Sequence, residues 1–593
     1  MIFRTPDTGH RTPDTGHRTP DTGHRTPDTG HRTPAFEAVP RPTLTVDRRV
    51  LAVARTVPAT RRVLDLLAVL DGDRRVSVTF AYDAGSAFGT QVPDQLAAAG
   101  VNAVPFDRAA DEPWDLALAA SANGPLHRLS APVFVVPHGA GHSRRLTPGG
   151  AAPVLGMAPD QLIHDGRVVP AAIGLPHPDD ARRLAEQCPP ALPRAEIIGD
   201  PCWDRLLASR HRRARYRAAF GLGPERLVVV SSTWGPASLF ARHPDLVERL
   251  TADLPWDDYR VALVLHPAVR AWHSEQQVRR WLRPALDRGL MLLSPDDEWR
   301  AAVVAADAVI GDHGSVTLYA AALGRPTALA CFSWEEIAPD TPMAALTGTA
   351  AGFAAEKPVW PQVEALIEAA GRVPGPVAEQ AEALAARSFD YQGRSLDRIT
   401  TVAYRLMDLP APKRSRQAAA VPLPSRPDSA PTSWYFQAEV DVDEVAILRW
   451  PAPWSPPDAG SGKARLLADV FDPNPRLVRA ATVLIQHADT AIGSEAGAAA
   501  EAEIDLADYP AAYVRAVVHP GRVVLTLRGQ GTFEAVTDGL PPGFDPRVIA
   551  AAAHAVVFQA RQPLGPELRI SVSRRTATVP VRAASSPSPC PAT

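Results

Sequence analysis

Residues able to do proton and phosphate chemistry recur at the ends of apolar runs in this chain. His138-Gly139 follows VFVVP (Val133–Pro137), and His142 comes four residues later. Ser231, Ser232 and Thr233 end LVVVSST, and His266-Pro267 ends YRVALVLHP. Asp312-His313-Gly314-Ser315 lies between the apolar run Ala308–Gly311 and a helical stretch, Val316–Leu323. An imidazole can take or give a proton near neutral pH. A small polar turn opening a helix offers N–H groups and a hydroxyl to an anion. Gly324 stops that helix, Pro326 follows, and Thr327–Ala330 reads as the next strand.

The positioning elements read as two similar α/β halves. In the first, Val50–Ala54, Val76–Tyr82, Val101–Pro105, Leu116–Ala119 and Val133–Pro137 are strands. They alternate with helical segments such as Thr60–Leu70 and Asp94–Ala99. Ala195–Gly199 is a further strand, and Asp200-Pro201 opens a helix running to about Phe220. The second half has strands at Arg226–Gly235, Tyr259–Pro267, Leu290–Leu293, Ala308–Gly311 and Thr327–Ala330, and closes with helix from about Ala378 to Leu406. Strands alternating with helices predict doubly wound parallel sheets, whose ligands sit beyond the strands' carboxyl ends.

The expected domains are 44–220 and 221–407, a Pro-rich linker 408–432, and a β-rich or α+β accessory domain 433–581. In the accessory domain Trp434–Val442, Leu466–Val470, Ala481–Ile485, Val514–Arg528 and Val556–Val572 read mostly as strands. It carries no chemical motif. Trp450, Pro451 and Trp454 offer a contact surface there, with core packing as the default. Residues 1–43 hold four copies of RTPDTGH and a partial fifth. That unit has no aliphatic residue to bury and predicts disorder, as does the Ser/Pro-rich tail 582–593. A tandem duplication or a misassigned start codon accounts for the repeat.

Composition excludes several classes. The chain has 593 residues and a net charge of −3, so no bulk basic field points to nucleic acid. Its basic residues are nearly all Arg; Lys357, Lys413 and Lys463 are the only lysines, which points to a GC-rich bacterial genome. Cys188, Cys202, Cys331 and Cys590 are scattered, without metal-ligand spacing or a disulfide framework. No apolar run reaches the roughly 18 residues that span a bilayer, and no signal-peptide core begins the chain. A cytoplasmic protein is expected, with peripheral membrane contact left open.

The order of the polar clusters resembles the CDP-glycerol glycerophosphotransferase family, the teichoic-acid polymerases and primases of GT-B fold. The matches run from about Leu51 to Leu406. They are His138-Gly139; Gly199-Asp200-Pro201-Cys202-Trp203-Asp204 for a Gly-x-Pro-x-x-Asp segment; Thr233-Trp234; His266-Pro267; Asp312–Ser315 for an Asp-x-Ser-Ser phosphate turn; and Gln392–Ile399 for an Asp-Gly-x-x-x-x-Arg-Ile segment. Pro137, Ala140, Gly235 and Gly314 depart from the pattern. Gly235 replaces an arginine, and with it a bidentate phosphate contact.

The resemblance implies a GT-B pair of Rossmann-like domains and transfer from a nucleotide-diphosphate donor, CDP- or UDP-linked, to an acceptor hydroxyl. The acceptor would be a cell-envelope polymer or lipid-linked precursor. His138 would act as general base and His266 would contact a phosphate, adding charge if protonated. Thr233, Asp312, His313, Gly314 and Ser315 would hold the donor phosphates, with Asp312 alternatively orienting His313 or His266, or capping the helix. No metal ligands and no cofactor are expected. Asp200 and Asp204 read as helix caps and Trp203 as core. A sugar-nucleotide glycosyltransferase, or a non-catalytic nucleotide-binding or scaffold protein, would fit the same residues.

Overall fold

The computed structural model describes residues 44–584, apart from 84, 86–88, 90, 150–151, 372–375, 426–429, 443, 453–463 and 489–504. The RTPDTGH repeats, Trp454, Cys590 and the end of the Ser/Pro-rich tail fall outside them. From Val46 onward the described residues pack as one unit.

The first half is built on seven parallel strands: β1 (Arg48–Ala54), β2 (Val76–Tyr82), β3 (Ala103–Pro105), β4 (Leu116–Ala119), β5 (Val133–Val135), β6 (Pro170–Leu175) and β7 (Ala195–Ile197). Their order is β3-β2-β1-β4-β5-β6-β7. The second half has six: β8 (Arg226–Ser232), β9 (Tyr259–Leu265), β10 (Met291–Leu292), β11 (Ala308–Gly311), β12 (Thr327–Leu329) and β13 (Ala351–Gly352). They are parallel in the order β10-β9-β8-β11-β12-β13. The central strands read as continuous apolar runs because helices cover both faces, so Val228, Val229 and Val230 are all buried. Strand direction of travel reverses between β1 and β4, and between β8 and β11. These switch points open crevices at the strands' carboxyl ends. Two such halves around one cleft make a GT-B-like arrangement.

Several boundaries differ from the sequence reading. β5 stops at Val135, which leaves Pro137 and His138 in the following loop. The helix after Asp200 breaks at a 3-10 turn, Arg210–Arg212, into Pro201–Ser209 and Arg213–Ala219. The closing helical region is two helices, Pro376–Ser388 and Ser395–Leu406. The second buries Leu396, Ile399, Val402, Ala403 and Tyr404 in the core of the first half, so the chain crosses back before leaving. Asp204 starts that helix by accepting from the N–H groups of Gly393 (2.6 Å) and Ser395 (2.8 Å). Trp203 is core, stacked on Phe389 at 4.9 Å.

The Pro-rich stretch after Leu406 is pinned to the body. Val421 is buried; its N–H donates to Ser209 Oγ (2.9 Å) and its carbonyl accepts from Tyr216 Oη (2.7 Å).

The accessory domain is a closed nine-stranded barrel. Its strands are β14 (Ser433–Val440), β15 (Val445–Pro451), β16 (Arg465–Asp469), β17 (Val483–His487), β18 (Val514–His519), β19 (Arg522–Leu527), β20 (Gly531–Val536), β21 (Glu567–Val572) and β22 (Arg575–Ala583). Around the wall the order is β14-β15-β21-β22-β20-β19-β18-β17-β16. The stretch read as strand from Val556 to Val572 is strand only from Glu567. Before it a helix, Val548–His554, runs into a π-helical turn, Ala555–Gln559. All seven residues of Val548–His554 are buried in the barrel core. A helix apolar on every side belongs in a core, and its sequence does not distinguish it from a buried strand. Trp450 is buried at the junction with the second half, where its Nε1 donates to Asp253 O (3.1 Å); it is not a contact surface.

Arg449 locks that junction. Fully buried, it donates from Nε and Nη2 to Asp257 (2.9 and 2.7 Å) and from Nη2 to Asp545 (2.8 Å). Removing it takes the guanidinium partner from Asp257, while Asp545 keeps Arg547 at 2.8 Å. Arg449→Ala is expected to cost about 3–5 kcal/mol of stability in chemical denaturation; a loss below about 1 kcal/mol would show that the barrel does not depend on this anchor.

Candidate active site

A cleft of about 870 Å³ lies between the two halves, at the carboxyl ends of β4 and β5 on one side and β8, β9 and β11 on the other. Among the described residues its lining includes Arg55, Arg61, Arg62, Arg144, Arg145 and Arg300, against the carboxylates of Asp296 and Glu336. Most of these guanidiniums are paired, Arg55 with Asp83, Arg61 with Asp297, Arg62 with Asp200, Arg144 with Glu336 and Arg300 with Asp65. A paired guanidinium still has N–H donors to offer an anionic ligand.

Two imidazoles face the cleft in opposite tautomers. His138 is exposed to the cleft, with Nδ1 3.1 Å from Ala120 O. A carbonyl only accepts, so Nδ1 carries the proton and Nε2 is left with a lone pair. His266 caps the helix Pro267–His273, and its Nδ1 accepts from Ala268 N–H at 3.1 Å. An amide N–H only donates, so the His266 proton is on Nε2. One ring is an acceptor and the other a donor. Both are held neutral. The crowded cleft wall lowers the His138 pKa, and Arg62 adds to this. Burial pushes His266 down to about 3, helped by His138 and Arg144. The expectation that His266 adds positive charge is therefore corrected: it offers a neutral N–H. His142, four residues after His138, turns away to the carbonyl of Leu155 (3.1 Å) and is pushed to about 4 by burial.

The turn after β11 divides its labour. Gly314 and Ser315 line the cleft at the start of the helix Ser315–Ala322. Ser315 Oγ also accepts from Ala140 N–H (3.3 Å), which joins the His138 loop to the turn. Gly139 makes that approach feasible, since a Cβ there would fall 2.7 Å from Ser315 Oγ. Asp312 does not reach the cleft. Its carboxylate is fully buried and accepts from the N–H groups of Thr233 (2.9 Å), Leu239 (2.9 Å) and Gly314 (3.0 Å). Burial raises its pKa, and these hydrogen bonds work against that rise. It ties the end of β8 to the turn, and so positions Thr233, which lines the cleft. His313 is buried beside the cleft with Nε2 3.1 Å from Glu336 Oε2.

Four contributors escaped the sequence reading: Arg62, Tyr319, Arg144 and Glu336. Arg62 is buried and donates to both oxygens of Asp200 (2.8 and 3.3 Å), to Tyr319 Oη (3.2 Å) and to Gly139 O (3.3 Å). Tyr319 Oη donates to Asp200 Oδ2 (2.8 Å). Asp200 meanwhile caps its own helix through Cys202 N–H (2.7 Å) and Trp203 N–H (3.0 Å). The capping role was legible in Asp-Pro; the arginine partner was not, because it comes from a helix 138 positions away.

No protein-family model and no curated protein sequence matches the chain. Among solved structures it is similar to the wall teichoic acid polymerase TagF, at 12% identity over 60% of this chain and 89% of that one, with a TM-score of 0.42. It is also similar to a UDP-GlcNAc 2-epimerase from Neisseria meningitidis, at 13% identity over 60% and 99%, TM-score 0.37. A third is Anabaena HepE, in complex with UDP and glucose, at 13% over 61% and 100%, TM-score 0.38. The chemistry of the cleft has to be read from its own residues.

The tautomer assignment is directly measurable. Nitrogen NMR of His266 should show the neutral, Nε2-protonated ring from about pH 5 to about pH 8, well above its depressed pKa; protonation within that window would contradict the assignment.

Proposed function

We propose that this cleft is the active site of a GT-B transferase, moving a glycerophosphate or glycosyl group from a nucleoside-diphosphate donor to an acceptor hydroxyl in cell-envelope polymer synthesis. The observation that carries the reading is the pair of oppositely protonated imidazoles in an arginine-lined cleft at two switch points. A transfer to a hydroxyl needs an acceptor for its proton and donors for the phosphate charge, and the two rings divide those tasks.

The donor diphosphate lies against Gly314, Ser315 and Val316, where the helix N-terminus and the Ser315 hydroxyl offset its charge. His266 Nε2–H donates to a phosphoryl oxygen and Thr233 lies beside it. The acceptor hydroxyl loses its proton to His138 Nε2 as its oxygen bonds to the donor's phosphorus or anomeric carbon. The bond from that atom to the nucleotide breaks, and the nucleotide leaves with the electron pair. Because His138 binds protons weakly, its base form survives below the ordinary imidazole pKa of about 6.5.

Among the described residues no cluster of three or more His, Cys, Asp or Glu is placed to hold a metal ion, and no helix is long and apolar enough to cross a membrane. The arginines and the helix carry the charge in this reading.

Calorimetric titration of the full chain with CDP, UDP, GDP and ADP is expected to show selective micromolar binding of one of them, weakened in Ser315→Ala and His266→Ala. Binding of none overturns the reading. With the donor so identified, His138→Ala is expected to lose about 10²–10⁴-fold in turnover while keeping its nucleotide affinity. Turnover should persist in EDTA and fall only below about pH 6.5. Nucleotide binding with no turnover in the wild-type chain would identify a binding protein instead.

A further inference from the structure

Arg144 is the cleft arginine with the most unusual provenance. It belongs by sequence to the first half, yet every contact recorded for its side chain is with the second. Residues 143–145 pair with 336–338 across the cleft: Arg145 N–H donates to Glu336 O (2.8 Å), Ala338 N–H donates to Ser143 O (2.9 Å), and Arg144 bridges to Ile337 in antiparallel register. The guanidinium lies 4.5 Å over the ring of Trp234, directly after Thr233. Its Nη2 donates to Glu336 Oε2 at 2.7 Å. That same carboxylate oxygen is held by His313 Nε2 at 3.1 Å.

This is a supported cation. The aromatic face and the carboxylate fix its plane, and His313 fixes the carboxylate. Its side chain stays 27% exposed where it lines the cleft, whereas that of Glu336 is 7% exposed. It is also near enough to His266 to depress that ring's proton affinity. A guanidinium has five N–H donors, and one carboxylate oxygen and one ring face leave several for a ligand.

We infer that Arg144 is a donor-diphosphate ligand, delivered by the first half to the nucleotide site of the second, and that Glu336 and His313 are its positioning residues. This rests on the proposed nucleoside-diphosphate site and adds the residue that makes that site depend on both halves. His313, expected to touch phosphate, acts at one remove, through Glu336.

The test is titration of the full-length wild type, Arg144→Gln, Arg144→Lys and His313→Gln with UDP, CDP, the matching nucleosides and inorganic pyrophosphate. Loss of a charge-assisted, bidentate contact predicts about ten- to hundredfold weaker diphosphate and pyrophosphate binding in Arg144→Gln. Nucleoside affinity should be unchanged, Arg144→Lys should fall between, and His313→Gln should weaken only the phosphate-bearing ligands. Circular dichroism checks folding; if Arg144→Gln is unfolded, Arg144→Lys decides, because its point charge cannot reproduce the fork and must still lose affinity. Wild-type diphosphate affinity in whichever variant is folded overturns the role of Arg144 and leaves the site standing. A wild-type chain that binds no nucleoside diphosphate overturns both.

Discussion

The ion pair between Arg62 and Asp200 holds the working parts of this molecule in register. Both side chains are almost wholly excluded from water, and the closest approach is 2.8 Å. Such a pair contributes little net stability, because desolvation consumes most of its attraction, but losing one partner is costly. Its importance is what it joins. Arg62 comes from the first helix after β1, Asp200 opens the helix that leads into the second half, Gly139 belongs to the His138 loop, and Tyr319 sits in the helix that begins at Ser315. One guanidinium therefore fixes the relative positions of four segments that line or back the same cleft.

The cleft's arginines have a second effect. A cationic, crowded environment disfavours further positive charge. In the free cleft neither His138 nor His266 then rests as a cation, and which nitrogen carries the proton sets what each ring offers. That choice is made by backbone groups, a carbonyl for one and an amide for the other. Asp312 performs a related service without entering the cleft, spending its carboxylate on three backbone N–H groups. Buried in an amide cage, it sets the loops instead.

Much of this was legible in the sequence. Apolar runs ending in polar dipeptides marked most parallel strands of both halves, though not β6 or β13, and the dipeptides themselves lie where strands end. The Asp-Pro signal marked its helix start, while the helix expected from Val316 begins one residue earlier, at Ser315, without a side-chain cap. What escaped was of two kinds. Arg62, Arg144, Tyr319 and Glu336 act through contacts between segments far apart in the chain, and an arginine on a helix or in a loop carries no local mark of its partner. In the barrel, β15, β20 and β22 have mixed polar and apolar residues, and the alanine-rich helix inside it has no polar face to give a helical period. Trp203 and Trp450 were correctly suspected of being core, since large aromatics find enough cover there.

The helix Ser395–Leu406 has a consequence for synthesis. The chain emerges from the ribosome amino end first, and domains ordinarily fold as they appear. Here the core of the first half is finished by Leu396, Ile399, Val402 and Tyr404, and the entire second half must be made in between. During that interval the nascent first half presents an uncovered apolar groove, open to chaperones and to wrong partners. The first half therefore has no early point of commitment: although synthesised first, its core closes only when one late helix docks.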